Sequence, residues 1–176
     1  MRLSGGGWPT GCVRETSRWM RERLLRCGPV VGFALTLELL IDNSAWARLN
    51  SPLLAPARTD EIAQALESER IATCLPFLLE AGYSARNARD QAELMAELGA
   101  LPHLRIDDQV ELRALDAQRQ LARAGHHRLP PVDLIIAALA DRYRVGILHY
   151  DSDYDVIAER TDLDFQSVWL APSGSL

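Results

Sequence analysis

The sequence predicts an α/β fold in which a central, mostly parallel sheet lies between two layers of helices, a three-layer α/β/α arrangement. Short apolar segments with the length of buried strands recur along the chain, and helical segments separate them. This alternation is the pattern of strand–helix–strand units. The 176 residues are enough for one domain with a substantial core, and 48% hydrophobic residues is ordinary for a soluble globular protein.

The first half of the sequence alternates between the two kinds of element. The apolar run that precedes Asp42 predicts a strand, and a polar turn follows it. Thr59 can cap the next helix, because its hydroxyl can accept a hydrogen bond from a free backbone N–H in the first turn. Pro76 is tolerated early in a helix, and Gly99 ends the last helix of this half. The expected elements are a strand at about 37–42, a helix over 59–69, a strand over 70–74, and helices over 76–83 and 87–98.

The second half continues the alternation. Apolar residues spaced along one helical face precede Gly125, which stops that helix. The Pro130-Pro131 pair opens an apolar helix, and the apolar run before Asp151 predicts a buried strand. The expected elements are a strand over 101–106, helices over 108–124 and 132–143, a strand over 145–150, a helix over 153–160 and a strand over 165–170.

Charge is distributed unevenly along the chain. Residues 1–36 carry six arginines and two glutamates, a net charge of +4, whereas the other 140 residues carry 13 arginines and 22 acids, a net charge of −9. There is no lysine, which excludes a Walker phosphate-binding loop. The acidic balance predicts no broad basic face for bulk nucleic-acid binding, so any nucleic acid would be contacted over a small part of the surface.

The segment 1–36 is expected to be a poorly ordered extension before a folded domain at 37–172 and a short tail at 173–176. Its apolar end resembles a signal-peptide core, but Glu38 interrupts that stretch and cleavage at the apparent site would remove Asp42. The stretch is also too short to cross a bilayer, so no membrane association is expected.

The three cysteines are odd in number and lack zinc-site spacing. This usage favours a reducing, cytoplasmic compartment. Cys74, at the end of an apolar strand, is expected to be a small buried core residue rather than a nucleophile.

Acidic residues stand where apolar strands end or helices begin. Asp42 and Asp151 each follow an apolar strand. Asp133 follows a proline pair at a helix start, and Glu80 lies inside a predicted helix. Carboxylates delivered beyond the carboxyl ends of parallel strands would converge on one pocket. Packed carboxylates repel one another unless a cation neutralises them, and oxygen ligands suit Mg²⁺ or Mn²⁺, which activate water against phosphodiesters. The acids therefore predict a metal-dependent nuclease.

Each acid also has a purely structural interpretation. Asp42 can be a turn or helix-cap residue, and Asp133 complements the dipole of the helix that it begins. Glu80 can point outward from a half-covered helix, because a glutamate is seldom fully buried without a partner. Upstream of Asp133, the loop residues 126–128 (His126, His127 and Arg128) either contact phosphate or form a solvated loop. His149, at a strand end, is expected to be packed rather than to act as a base.

The densest acidic motif is Asp-Ser-Asp-Tyr-Asp at 151–155. Asp151 is nearest the strand end and is the strongest ligand candidate, Asp153 is second, and Asp155 is expected to face solvent. An EF-hand is excluded because the sixth position lacks glycine and the twelfth lacks glutamate. A dehalogenase-type phosphatase normally has this motif after a strand near the start of the chain, with a catalytic Lys or Arg much later. It is excluded because only about 20 residues follow the motif here.

Together these residues give the chain a resemblance to PIN-domain ribonucleases, and within them to the VapC toxins of VapBC toxin–antitoxin pairs. The resemblance covers about 38–172, and residues 1–36 are extra to it. It implies a parallel sheet, one or two Mg²⁺ or Mn²⁺ ions, endonucleolytic RNA cleavage, a homodimer and a small cognate antitoxin. By position it assigns metal binding to Asp42, Glu80, Asp133 and Asp151, with Asp153 as a fifth ligand. The motifs that carry it are LIDNSAW at 40–46, LLE at 78–80, PVDLIIA at 131–137 and LHYDSDYDVIA at 148–158.

The mechanistic hypothesis is that Asp42, Asp133 and Asp151 hold a metal ion directly while Glu80 orients a water or a second ion. It predicts that Asp42→Asn keeps the fold and abolishes cleavage; a folded, fully active variant would contradict it. Two other readings remain open at this level: a PIN nuclease of RNA processing, and a PIN-like binding module without turnover.

Overall fold

The computed structural model describes residues 37–176, which hold five strands and seven helices. The strands are β1 Leu39–Ile41, β2 Ile71–Cys74, β3 His103–Leu104, β4 Gly146–His149 and β5 Ser167–Trp169. The helices are α1 Asn43–Trp46, α2 Pro56–Glu67, α3 Leu75–Tyr83, α4 Ala88–Leu98, α5 Asp108–Arg123, α6 Pro131–Tyr143 and α7 Asp153–Arg160.

The five strands form one parallel sheet in the order β3-β2-β1-β4-β5. At its centre, Leu40 of β1 lies beside Ala72 of β2 on one side and beside Ile147 of β4 on the other. The chain leaves β1 toward β2 and later returns to β4, so the strand order reverses next to β1. Open α/β sheets bind ligands at such a reversal, beyond the carboxyl ends of the strands.

Both faces of the sheet are covered. Every residue of β2 and of β4 is buried, although successive side chains of a strand point to opposite faces. In α6, Leu134 and residues 136–140 are buried, so this helix is part of the core rather than a surface helix. The predicted parallel sheet between helical layers is confirmed.

The structure corrects two expectations for the segment between β1 and β2: the polar turn after β1, and the start of the helix expected over 59–69. This helix begins at Pro56 rather than Thr59, with Ala55 as a cap residue that makes no side-chain cap bond. Proline fixes a helical φ and needs no hydrogen-bond partner for nitrogen, so it can open a helix without a capping hydroxyl. The Thr59 hydroxyl instead donates back to the Ala55 carbonyl, 3.4 Å away. The polar turn after β1 contains a short helix, α1, which Asp42 caps.

The remaining elements differ from expectation mainly in length. The strand expected over 101–106 is reduced to His103–Leu104, because it is an edge strand that pairs with β2 alone. The other strands are shorter than expected by one to three residues.

The carboxyl-terminal residues of the chain contact the fold. The extension expected over 1–36 lies outside the described residues. In the segment 173–176, expected as a tail, the Leu176 N–H donates to the Tyr150 hydroxyl at 2.7 Å, and Leu176 packs against the core. Within 37–176 there is no helix long and apolar enough to cross a membrane.

Candidate metal centre

Three carboxylates meet at the carboxyl edge of the sheet. Asp133 lies in the first turn of α6, Asp151 directly follows β4, and Asp153 is the first residue of α7. Each offers one carboxylate oxygen, and these oxygens all lie within 4.8 Å of one another. The Asp153 N–H donates to Asp151 Oδ1 at 3.0 Å, which holds the last two in register. All the donors are oxygens, so the group fits a hard divalent cation such as Mg²⁺ or Mn²⁺.

Asp42 lies at the end of β1 and is only 5% exposed. Its Oδ2 accepts hydrogen bonds from the Ser44 N–H at 2.8 Å and from the Ser44 hydroxyl, and its Oδ1 accepts from the Tyr154 hydroxyl at 2.9 Å. A buried carboxylate needs such donors, because removing its charge from water without them is costly. Asp42 thus acts as the cap of α1, and it stands outside the three-carboxylate group.

Glu80 lies on α3 and is partly buried. Burial, and then the negative charge of Asp42, raises the pKa of Glu80. The α3 helix is half covered, since Leu75, Leu79 and Tyr83 along one of its faces are exposed. Glu80 is likewise outside the three-carboxylate group.

The five acids nonetheless form one electrostatic centre. The pKa of Asp133 is raised to about 8, first by burial and then by the charges of the four other acids, Asp42, Asp151, Asp153 and Glu80. Burial and the charge of Asp151 also raise the pKa of Asp153. Without a cation, Asp133 therefore holds a proton near neutral pH. A bound divalent ion would supply the missing positive charge.

A chain of hydrogen bonds links the Asp151 backbone to β5. The Asp151 N–H donates to His149 Nδ1 at 3.2 Å, and His149 Nε2 lies 2.7 Å from Ser167 Oγ. Because a backbone N–H only donates, Nδ1 accepts and the neutral ring carries its proton on Nε2. The Ser167 hydroxyl then donates to Asp155 Oδ1 at 2.5 Å, and Trp169 Nε1 donates to Asp155 Oδ2 at 2.9 Å.

His149 is a packed residue, as expected. His149 is fully buried, its ring lies 4.9 Å from that of Tyr154, and burial lowers its pKa. Asp155 is exposed, as expected, yet both of its oxygens accept hydrogen bonds from β5. Cys74 is buried, and burial raises the pKa of its thiol to about 12, so it is a core residue and not a nucleophile.

Sequence reasoning missed the residues that hold the acids in place. Tyr154 and Ser167 contribute through side chains that meet partners far away in the chain. The Ser44 hydroxyl also accepts from the Tyr150 N–H at 2.9 Å and so ties α1 to the end of β4. One signal was available for Tyr154, since a large aromatic residue between two aspartates in a short helix is a natural core-facing position.

The fold and this site define a PIN domain: the family model described as "PIN domain" matches residues 39–160, and the chain belongs to that family. Ribonuclease VapC51 of Mycobacterium tuberculosis is 33% identical over 142 residues, which are 81% of this chain and 99% of that relative. The resemblance to PIN-domain ribonucleases of the VapC type is thereby confirmed.

Solved structures share the fold at lower identity. A DNA-bound VapBC from Salmonella typhimurium has a TM-score of 0.61 and 18% identity, over 77% of this chain and 100% of that chain. VapBC-5 from Mycobacterium tuberculosis, a member of the VapBC family of toxin–antitoxin systems, has a TM-score of 0.51 and 23% identity, over 75% of this chain and 99% of that chain. At these identities the likeness is one of fold.

Proposed function

We propose that this protein is an Mg²⁺- or Mn²⁺-dependent endoribonuclease that acts as the toxin of a toxin–antitoxin pair in the cytoplasm. Its membership of the PIN family and its relative named a ribonuclease support the nuclease activity. The VapBC structures that share its fold support the pairing with a small antitoxin. The proposal includes a homodimer, arrest of growth through RNA cleavage, and a cytoplasmic location.

One observation carries the enzymatic part of the proposal: three carboxylate oxygens lie within 4.8 Å of one another at the strand-order reversal. Asp133, Asp151 and Asp153 would hold the ion directly. The oxygens of Asp42 already accept hydrogen bonds from Ser44 and Tyr154, and Asp42 would act on the centre through its charge. We therefore propose Asp153 as the third direct ligand, whereas the hypothesis from the sequence gave that position to Asp42.

The chemistry follows from what each part supplies. A bound divalent ion lowers the pKa of water and stabilises charge on the phosphate that is attacked. Asp133, Asp151 and Asp153 fix the position of that charge relative to the substrate. Glu80, partly buried and of raised pKa, would accept a hydrogen bond from the attacking water and so orient it.

The test is cleavage of mixed RNA by the purified protein, free of any antitoxin, in Mg²⁺, Mn²⁺ or EDTA. We expect cleavage that requires the metal and that falls at least about a hundredfold in Asp133→Asn, because removing only a supporting residue already costs 10–100-fold. Asp133 is a sharper target than Asp42, since no described donor bonds its carboxylate, whereas Asp42→Asn would turn an amide N–H₂ toward Ser44 or Tyr154.

Asp108→Asn is the matched control. Asp108 is exposed at the first residue of α5, and the start of α5 lies beside the end of α6, as shown by the 3.1 Å ion pair between Asp107 and Arg142. A folded Asp133→Asn protein that cleaves like the Asp108→Asn control would refute the metal centre. A folded wild-type protein that cleaves no RNA would favour the binding module. Cleavage without growth arrest on expression would favour an RNA-processing nuclease.

A further inference from the structure

A stretch beside the metal centre carries positive charge without any acid. Residues 117–132 contain no aspartate or glutamate, although the 140 residues from 37 onward hold 22 acids. The same stretch contains three arginines and two histidines. It ends immediately before Asp133. The basic side chains of the stretch are Arg119, Arg123, His126, His127 and Arg128.

A second acid-free stretch, residues 43–59, provides a useful contrast. Its two arginines donate to backbone carbonyls within the fold: Arg48 Nη1 to Ser44 O at 2.8 Å, and Arg58 Nε to Leu170 O at 3.2 Å. Arg58 also bonds the Trp169 carbonyl at 3.1 Å. These guanidinium groups stabilise the protein itself. An acid-free stretch is therefore not in itself a surface for a partner.

The residues 123–128, here called the basic loop, are different. Arg123, His126, His127 and Arg128 are all exposed, and none forms an ion pair within residues 37–176. Arg119, just before the loop, is instead paired with Asp116 at 2.7 Å. The basic loop thus presents two guanidinium groups and two imidazoles to solvent in an otherwise acidic protein.

The fold places the basic loop at the edge of the sheet that holds the carboxylates. The helices α5 and α6 pack against each other, and the ion pair of Asp107 with Arg142 joins the start of α5 to the end of α6. The two helices are therefore antiparallel, and the loop between them lies at the end where Asp133 is found. Gly125, with a φ of +85°, and the 2.8 Å bond from the His126 N–H to the Leu121 carbonyl turn the chain there. Asp133 is the fifth residue after Arg128, so their Cα atoms are at most about 18 Å apart.

We propose that the basic loop binds phosphates of the RNA chain next to the bond that is cleaved, and this inference rests on the proposed function. The carboxylates at the centre repel a polyanion, so attraction must come from cations beside them. Arg123 and Arg128 can each form paired hydrogen bonds to a phosphate, and His126 and His127 add ring N–H donors. Phosphate contacts position a nucleic acid without reading its sequence. The basic loop therefore sets affinity and register for RNA and leaves the choice of cleavage sequence to other residues.

The experiment compares the double variant Arg123→Gln/Arg128→Gln with the control double variant Arg89→Gln/Arg144→Gln, which removes the same charge. Arg89 has a side chain that is 86% exposed, and Arg144 lies at the opposite end of α6 from Asp133. Binding of a fluorescent single-stranded RNA of mixed sequence is measured by anisotropy in EDTA, where no metal-dependent cleavage occurs, at several KCl concentrations. We expect the loop variant to bind about tenfold more weakly and its log–log salt slope to fall by about 1.4, since two single-strand phosphate contacts are lost.

The control variant should remain within about twofold of wild type, and Mn²⁺ should raise the melting temperature of all three proteins equally. Equal weakening in the two double variants, or no change in the loop variant, would overturn the inference. Failure of the proposed function gives a different result: RNA binding that depends on the basic loop, with no metal-dependent cleavage by wild type. Cleavage with binding that ignores the loop would overturn this inference alone.

Discussion

Asp42 and Asp133 belong to one acidic centre, but they differ in the hydrogen bonds that the described residues give to their carboxylates. Asp42 is nearly fully buried and receives hydrogen bonds from the Ser44 N–H, the Ser44 hydroxyl and the Tyr154 hydroxyl. Asp133 is also partly buried, yet no donor among the described residues bonds its carboxylate. Its pKa is instead raised to about 8 by burial and by its acidic neighbours.

This difference indicates that the two carboxylates have different roles in the acidic centre. Asp42 is held by hydrogen bonds and also caps α1, so it contributes to the fold whether or not a cation is present. Asp133 has no such donor among the described residues, so its ionised form is unfavourable without a nearby cation. Groups that the fold leaves without partners lower stability, and they cluster at functional sites.

The first prediction concerns stability against pH without metal. The pKa of Asp133 is about 8 in the folded protein and about 4 in an unfolded chain. Between these values the folded state keeps a proton that the unfolded state releases, so the stabilising contribution of Asp133 is complete below about pH 4 and is lost as the pH rises toward 8. Asp133→Asn removes this loss and should stabilise the EDTA-treated protein at pH 8 by about 1–3 kcal/mol, the scale of one unsatisfied buried polar group.

The measurement is the melting temperature in EDTA at pH 5 and pH 8. Asp162→Asn serves as the control, because hydrogen bonds from Gln120 and Arg113 lower the pKa of Asp162 and give the opposite sign. A variant at Asp133 that gains nothing over wild type at pH 8 would show that Asp133 is already stabilised in the free protein.

The second prediction tests the supported member of the pair. Tyr154→Phe leaves Asp42 Oδ1 without its donor in a buried site, which should lower the free energy of unfolding by about 1–3 kcal/mol. It should also weaken Mn²⁺ binding by about 10–100-fold, the usual effect of removing a group that orients a metal site. Denaturant unfolding and Mn²⁺ titration measure the two effects.

Tyr143→Phe is the matched control for this change. The Tyr143 hydroxyl donates to the Arg105 carbonyl at 3.0 Å on the surface, and Tyr143 is 39% exposed. Its loss should cost at most about 1 kcal/mol, because water replaces the exposed bond. Equal costs for the two variants would mean that Asp42 does not depend on Tyr154.

The contrast between the two acids also explains what the sequence could predict. The position of Asp133 and Asp151 followed from local signals, a proline pair that opens an apolar helix and an apolar strand that ends. The support of Asp42 did not, because Tyr154 is 112 residues away in the chain and reaches it only when α7 packs with that face inward. Local patterns indicate which elements form and in what order, whereas hydrogen bonds between distant segments depend on how the elements pack.

Smaller departures have the same origin. The sequence predicted a helix start at Thr59, because its hydroxyl is an equally good local signal, but the helix begins at Pro56. The strand expected over 101–106 shrank to His103–Leu104 because an edge position pairs it on one side only. Which acids would share one ion was likewise a question of packing, and Asp153 rather than Asp42 joins Asp133 and Asp151 in the compact group.

The last and smallest effect is expected from the hydrogen-bond chain behind Asp151. Ser167→Ala removes the hydroxyl that joins His149 Nε2 to Asp155, and the backbone of Asp151 rests on the other nitrogen of His149. Because Ser167 reaches Asp151 only through the His149 ring, we expect Mn²⁺ affinity to fall by only about three- to tenfold, below the usual range for a direct support. Ser167→Thr keeps the hydroxyl and should keep Mn²⁺ affinity at the wild-type value. If position 167 required only a small side chain, the larger threonine would not do so. Ser175→Ala, whose hydroxyl donates to the Pro172 carbonyl on the surface, should leave Mn²⁺ affinity unchanged. If Ser167→Ala loses stability while its Mn²⁺ affinity stays at the wild-type value, the chain holds β5 in place and does not position Asp151.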